Sequence, residues 1–187
     1  YDSSRTLFWA DKSTGLSKNF WLRSIGWFLV ALCDVYSYME GDEKGRERIA
    51  SIFKESIDGV LLYQDKESKM FWQVPSFPNR EGNYLETSGS SMISYALLKG
   101  SRLGILPSPY SEKGLDVFKG IVREKMSEEN GDLNLKGICL VAGLGPENNT
   151  RRDGSYEYYI SEPIVENDAK GVGPFIMAYT EVKKLEK

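Results

Sequence analysis

Apolar and polar positions in the first third of the chain predict two helices of different character. Residues 27–39 carry apolar side chains on nearly every face of a helix, which is typical of a buried helix. Gly41 interrupts this run. In residues 43–63 the apolar positions recur mostly at steps of three and four, which predicts an amphipathic helix with one face in solvent. A buried helix is therefore followed by an outer one.

The same alternation returns further along the chain. Residues 88–103 carry few charges and predict a second buried helix, and residues 111–126 predict a second amphipathic one. A last buried helix is predicted at residues 174–185, with Pro174 in its first turn, where the missing N–H costs nothing. Short strands are predicted inside the connecting loops, at residues 69–74, 133–135 and 156–160.

Alternating inner and outer helices predict an all-α fold, an α/α toroid with a few short strands in its loops. Small residues at Gly26, Gly89 and Gly173 recur near the starts of the buried helices, which is a weak repeat of helical hairpins. Five helices form an open arc and leave two edges of its inner layer uncovered. Because exposed apolar surface of this kind marks an interface, we expect a homo-oligomer or a missing N-terminal half to cover these edges.

Composition excludes several classes of function. The chain has 187 residues and a net charge of −3 without a basic tract, so no nucleic acid partner is expected. No apolar run approaches the ~18 residues that span a bilayer, so no membrane partner is expected either. Histidine is absent, and Cys33 and Cys139 are far apart, which argues against a metal site and against a Ser-His-Asp system. Both cysteines are predicted to be buried reduced thiols, with a disulfide left open.

Trp21, Arg23 and Trp27 form the first candidate binding group. Two indoles can stack on a pyranose ring, and a guanidinium can hold a carboxylate through two parallel hydrogen bonds. The alternative is that the tryptophans pack in the core while Arg23 pairs with a structural acid.

Two further segments precede buried helices. In the first, Tyr84 or Thr87 is a candidate to face a ligand at the mouth of the toroid. Alternatively, Thr87 or Ser88 is the N-cap, with Glu86 favouring the positive end of the helix. In the second, residues 167–174, a structural turn into the last helix is the favoured interpretation. Among the many carboxylates, no pair is marked by its spacing as a catalytic acid and base.

These stretches together resemble the unsaturated rhamnogalacturonyl and glucuronyl hydrolases, glycoside hydrolase families 105 and 88. The order and approximate spacing of the matching pieces fit from end to end. The matching pieces are Tyr1-Asp2-x-x-Arg5, Trp9-Ala10-Asp11-x-x-Thr14-Gly15, Phe20-Trp21-x-Arg23-x-x-Gly26-Trp27, Asn83-Tyr84-Leu85-Glu86-Thr87-Ser88 and Gly171-x-Gly173-Pro174-Phe175. No single piece is specific, but the third and fourth together are fairly so.

The resemblance implies a six-hairpin α/α toroid, with residues 1–187 as the C-terminal part of one domain whose N-terminal half is absent. It also implies an enzyme that removes a 4,5-unsaturated uronic acid from pectin or glycosaminoglycan fragments. In these families an Asp protonates C4 of the vinyl ether and activates water for C5, and the resulting hemiketal opens to expel the aglycone. No metal or organic cofactor is needed, and the expected partner is an unsaturated uronyl oligosaccharide.

In these families the catalytic Asp lies in the N-terminal half, so no catalytic residue is expected in this chain. Alone it is predicted to be inactive. Trp21, Arg23 and Trp27 match family positions that line the sugar site, and Tyr84 and Thr87 complete the predicted substrate-binding set. The expected location is cytoplasmic, or alternatively periplasmic. Two alternatives stay open: a non-catalytic carbohydrate-binding or assembly module, and a different α/α-toroid enzyme such as an epimerase or lyase.

Overall fold

A computed structural model describes residues 1–186 of the chain, and helices dominate it. The helices are α1 (Leu22–Tyr36), α2 (Glu43–Leu61), α3 (Thr87–Arg102), α4 (Pro109–Lys125), α5 (Tyr156–Ile160) and α6 (Ala169–Leu185). The strands are β1 (Met126–Glu129), β2 (Asp132–Leu135), β3 (Ile138–Cys139) and β4 (Ile164–Val165). β1 pairs with β2, and β3 pairs with β4, both antiparallel. None of the helices within residues 1–186 combines the length and hydropathy of a bilayer-spanning segment.

Helix α3 lies at the centre of the fold and packs against α1, α4 and α6. Thirteen of its 16 residues are buried. Close packing depends on glycine, because a Cβ at Gly26 would lie 2.8 Å from the side chain of Met92, and one at Gly89 would lie 2.5 Å from that of Leu22. Two of the three glycines noted as a weak repeat therefore let α1 and α3 approach each other, whereas a Cβ at Gly173 would meet no atom within 4 Å among the described residues.

The predicted alternation of inner and outer helices is confirmed by their packing, but the prediction that the last helix is buried was wrong, since Ile176 and Tyr179 of α6 are 53% and 48% exposed. Helices α1, α3 and α6 lie side by side in the inner layer, while α2 packs on α1 and α4 packs on α3. The main core fills the space between the layers, with Leu29 of α1, Phe53 of α2, Ile93 of α3 and Val117 of α4 all at 0% exposure. The described chain is an arc of an α/α toroid.

Helix α1 differs from the prediction in the residue at which it starts and in how much of its surface is buried. It begins at Leu22, five residues earlier than expected, because the backbone becomes helical directly after the extended residue Trp21. It is not buried on all sides, since Trp27, Phe28 and Val35 are 47%, 48% and 47% exposed. These three side chains, which we call the α1 stripe, lie along one exposed face of the helix. The described residues therefore leave part of the apolar surface of α1 uncovered.

Three smaller predictions were wrong. Residues 156–160 form α5 rather than a strand, because Ser155 caps the segment by accepting a hydrogen bond from the backbone N–H of Tyr158. Residues 69–74 do not form a strand: Lys69 has a positive φ of 65°, and the segment makes a single β-bridge, between Trp72 and Leu85. Pro174 lies inside α6, which begins at Ala169.

Candidate functional site

A cleft of about 370 Å³ opens at the N-terminal end of α1. One wall of it is formed by Trp21, which is partly exposed, together with Tyr159, which is only 2% exposed. Phe20, Ser24 and Gly143 contribute to the rest. The rings of Trp21 and Tyr159 are nearly parallel, with centroids 6.3 Å apart and planes inclined by 19°. Flat aromatic surface of this kind suits the apolar face of a pyranose. We call this the α1 cleft.

Gln73 fixes the orientation of this aromatic wall. Its side chain is fully buried. Its Oε1 accepts a hydrogen bond from Trp21 Nε1 at 3.1 Å, and its Nε2 donates to the backbone carbonyl of Tyr159 at 3.2 Å. Nε2 also lies 3.2 Å from Cys139 Sγ. Sequence reasoning missed Gln73 and Tyr159, although a lone amide in the apolar run at residues 70–75 was a usable signal for Gln73.

Arg23 lies directly behind Trp21 and is only 2% exposed. Its Nε donates to Ser88 Oγ at 2.7 Å, and its Nη2 donates to the Cys139 carbonyl and lies 3.8 Å from Glu86 Oε1. The guanidinium also stacks over the Trp21 indole, 5.2 Å from the ring centroid. The donors that would hold a substrate carboxylate thus face protein acceptors in this structure.

The anchor of this network is Glu86, which is fully buried and is itself the N-cap of α3. The expectation that Thr87 or Ser88 would be the cap was wrong. Glu86 accepts hydrogen bonds from the backbone N–H groups of Ser88 at 3.1 Å, Gly89 at 2.7 Å and Cys139 at 3.1 Å. A carboxylate satisfies these donors better than a hydroxyl because the helix N-terminus also carries partial positive charge.

The other three candidates are distributed around this network. Thr87 is fully buried, and its Oγ1 donates to the Lys136 carbonyl at 2.5 Å. The Tyr84 hydroxyl is buried and has no hydrogen-bond partner in the described part of the chain, and this burial raises the pKa of the phenol far above its ordinary value. Trp27 belongs to the exposed α1 stripe. The structure therefore brings Trp21, Arg23 and Glu86 together and leaves Trp27 on the surface.

The remaining sequence candidates have structural roles. Asp168 caps α6 by accepting from the backbone N–H of Lys170 at 2.9 Å, and Asn167 Oδ1 accepts from that of Leu135 at 2.9 Å. Cys33 and Cys139 are free and buried, as predicted. Burial raises the pKa of the Cys33 thiol to about 12. Within residues 1–186 no group of three or more Cys, Asp or Glu side chains is arranged to hold a metal ion.

Comparison with solved structures finds the same fold in other proteins. A glycoside hydrolase of family 105 from C. acetobutylicum is 46% identical and superposes with a TM-score of 0.93, over 98% of this chain and 51% of that chain. An unsaturated glucuronyl hydrolase variant from Streptococcus agalactiae, solved in complex with dGlcA-GalNAc6S, superposes with a TM-score of 0.63 at 16% identity, over 94% of this chain and 45% of that chain. The second likeness concerns the fold alone. The chain spans about half the length of these solved proteins.

Sequence comparison assigns the family. The 24.9 kDa protein in the picA locus of Rhizobium radiobacter is 36% identical over 186 residues, which cover 97% of this chain and 79% of that protein. An unsaturated 3S-rhamnoglycuronyl hydrolase from Formosa agariphila is 26% identical over 171 residues, 91% of this chain and 40% of that protein. The family model described as Glycosyl Hydrolase Family 88 matches residues 1–186. The chain therefore belongs to glycosyl hydrolase family 88.

Proposed function

We propose that the chain is part of an enzyme that removes a 4,5-unsaturated uronic acid from pectin- or glycosaminoglycan-derived oligosaccharides. The name of the Formosa hydrolase, which refers to unsaturated rhamnoglycuronyl substrates, supports this substrate class. The family 105 protein at 46% identity supports glycoside hydrolysis, and the Streptococcus enzyme, which shares the fold, was solved with dGlcA-GalNAc6S. In the proposed reaction an Asp protonates C4 of the vinyl ether and activates water for C5. The hemiketal then opens and releases the aglycone.

The α1 cleft is the observation that carries the proposal, because it presents the partly exposed ring of Trp21, which the nearly buried Tyr159 supports. We propose that this wall stacks on the uronate ring. For Arg23 to hold the uronate carboxylate, its Nη2 has to exchange the Cys139 carbonyl for the substrate. Ser88 and the Trp21 indole still fix the rest of the guanidinium during that exchange.

The other predicted binding residues have different places in the proposal. Thr87 and Tyr84 support the N-terminal end of α3, close to the aromatic wall of Trp21 and Tyr159. Trp27, on the exposed stripe, is left to contact a sugar or a neighbouring helix.

The catalytic Asp is proposed to come from an N-terminal half that, with residues 1–187, completes one toroid domain. That half, or a second copy, is proposed to cover the α1 stripe and the exposed Ile176 and Tyr179 of α6, which are 53% and 48% exposed. The chain by itself then binds the sugar but does not turn it over.

The experiment is a paired measurement on the purified chain with 4,5-unsaturated digalacturonate. Isothermal titration calorimetry is expected to show saturable binding that Trp21→Ala abolishes. A matched control is Tyr38→Ala, since Tyr38 is 86% exposed and lies just beyond α1. The ultraviolet absorbance of the conjugated uronate is expected to stay constant. Absence of binding refutes the sugar site, whereas turnover by the chain refutes the upstream location of the catalytic acid.

A further inference from the structure

A second cleft, of about 320 Å³, lies between the end of α2 and the loop at residues 72–79. Its lining combines aromatic and proline surfaces with polar groups, among them Tyr63, Trp72, Pro75, Pro78, Gln64 and Lys66. Tyr63 is 39% exposed, and its neighbour Leu62 is 83% exposed. Rings beside amide and ammonium groups are the chemistry that a pyranose with its hydroxyls requires. We call this the α2 cleft.

The Trp72 indole lines the α2 cleft. Its Nε1 is buried and has no hydrogen-bond partner within residues 1–186. Burial opposes ionisation of the adjacent Asp65, but Ser68, and more weakly the Trp72 indole, lower the pKa of that carboxyl. Asp65 Oδ2 is already taken by the backbone N–H and the hydroxyl of Ser68, at 2.8 and 2.7 Å. The indole N–H is thus turned away from solvent, and the α2 cleft is lined by the ring of Trp72 rather than by its donor.

The α2 cleft and the α1 cleft share an aromatic partition. Phe20 lines the α1 cleft and Tyr63 lines the α2 cleft. Their rings meet edge to face, with centroids 5.3 Å apart and planes inclined by 70°. A chain of sugars that fills the first cleft therefore needs to cross only this pair of rings to reach the second.

We propose that the α2 cleft binds a further pyranose of the same uronic-acid-containing oligosaccharide. This rests on the proposed function, because the first sugar is taken to occupy the α1 cleft. Tyr63 and the ring of Trp72 contact the faces of a sugar beyond the first two of the chain, which a tetrasaccharide supplies and a disaccharide does not. Lys66, which is exposed at the rim, pairs with a uronate carboxylate.

The test compares 4,5-unsaturated digalacturonate with the corresponding tetragalacturonate by isothermal titration calorimetry on the purified chain. The tetrasaccharide is expected to bind about tenfold more tightly, a ratio that corresponds to ~1.4 kcal/mol. Tyr63→Ala should remove this advantage and leave the disaccharide affinity unchanged, whereas the exposed control Tyr38→Ala should retain it. Lys66→Gln should weaken tetrasaccharide binding and reduce its salt dependence, in contrast to Lys44→Gln at an exposed site on α2.

Equal affinity for the two sugars, or an advantage that survives both Tyr63→Ala and Lys66→Gln, overturns the second subsite. Lys66 is exposed, so this variant reports on the cleft even if Tyr63→Ala disturbs the packing of Phe20. Failure of the proposed function is recognised separately, because then digalacturonate does not bind and Trp21→Ala has no effect on either sugar. In that case the second subsite is tested with the tetrasaccharide alone. Its affinity for the chain still has to fall when Tyr63 is replaced by alanine.

Discussion

Replacement of Glu86 by alanine should destabilise the chain more than any exposed charge change. The buried carboxylate caps α3 through two backbone N–H groups, accepts a third from Cys139, and lies 3.8 Å from the buried Arg23. Glu86→Ala leaves those donors unsatisfied and removes the counter-charge of a guanidinium that is 2% exposed.

The expected magnitude follows from two contributions. Loss of an N-cap side chain costs ~1 kcal/mol. Removal of one partner of a buried ion pair costs ~3–5 kcal/mol, and the lower end applies because Arg23 keeps its hydrogen bonds to Ser88 and Cys139. We therefore expect a loss of about 4 kcal/mol in the free energy of unfolding. Glu86→Gln, which keeps an acceptor at the cap, should cost about half as much.

The assay is urea unfolding followed by far-ultraviolet circular dichroism, with the free energy of unfolding extrapolated to water. Glu112→Ala, in the exposed first turn of α4, is the matched control and should change stability by less than ~0.5 kcal/mol. A loss in Glu86→Ala that is no larger than in this control would refute the buried network as described.

Three further predictions concern the aromatic wall of the α1 cleft, the N-terminal loop and the hydrophobic core. Gln73→Leu should weaken digalacturonate binding about fivefold, because Trp21 loses its hydrogen bond; unchanged affinity in a fluorescence titration contradicts this. Hydrogen bonds from Ser4 and Leu7 lower the pKa of Asp2 from 3.8 to about 2. Its stabilisation is therefore present above pH 3.8 and is lost as the pH falls through about 2. Asp2→Asn should reduce the acid-induced drop in melting temperature, and an identical pH profile would refute this. The Cys33 thiol, whose pKa burial raises to about 12, should react with Ellman's reagent only after denaturation; rapid labelling of native protein would contradict its burial.

The helical alternation could be predicted from the sequence because it depends on local periodicity, which the main helices display clearly. Helix α5 could not, since a five-residue segment rich in tyrosine has the composition of a strand and becomes helical through a single cap at Ser155. The early start of α1 was missed for a related reason: Arg23 reads as a polar residue and gives no sign that it is buried.

Only part of the candidate site could be predicted from the sequence. Trp21 could be identified because its motif is local. The groups that orient it come from distant parts of the chain: Gln73 from the loop after α2, Tyr159 from α5 and the Cys139 carbonyl from β3. Contacts between residues so far apart depend on the packing of the helices, and no spacing rule predicts them.

Turnover by a chimeric protein tests the proposed function most directly. In the chimera, this chain replaces the matching segment of the C. acetobutylicum family 105 protein, to which it is 46% identical. The substrate is 4,5-unsaturated digalacturonate, and the intact parent protein is assayed beside the chimera on the same substrate. We expect the chimera to deplete the ultraviolet absorbance of the conjugated uronate, and the same chimera with Trp21→Ala to lose at least about tenfold in kcat/KM. A folded chimera that leaves the absorbance unchanged while the parent depletes it, or one that Trp21→Ala does not impair, would contradict the proposed role of the α1 cleft.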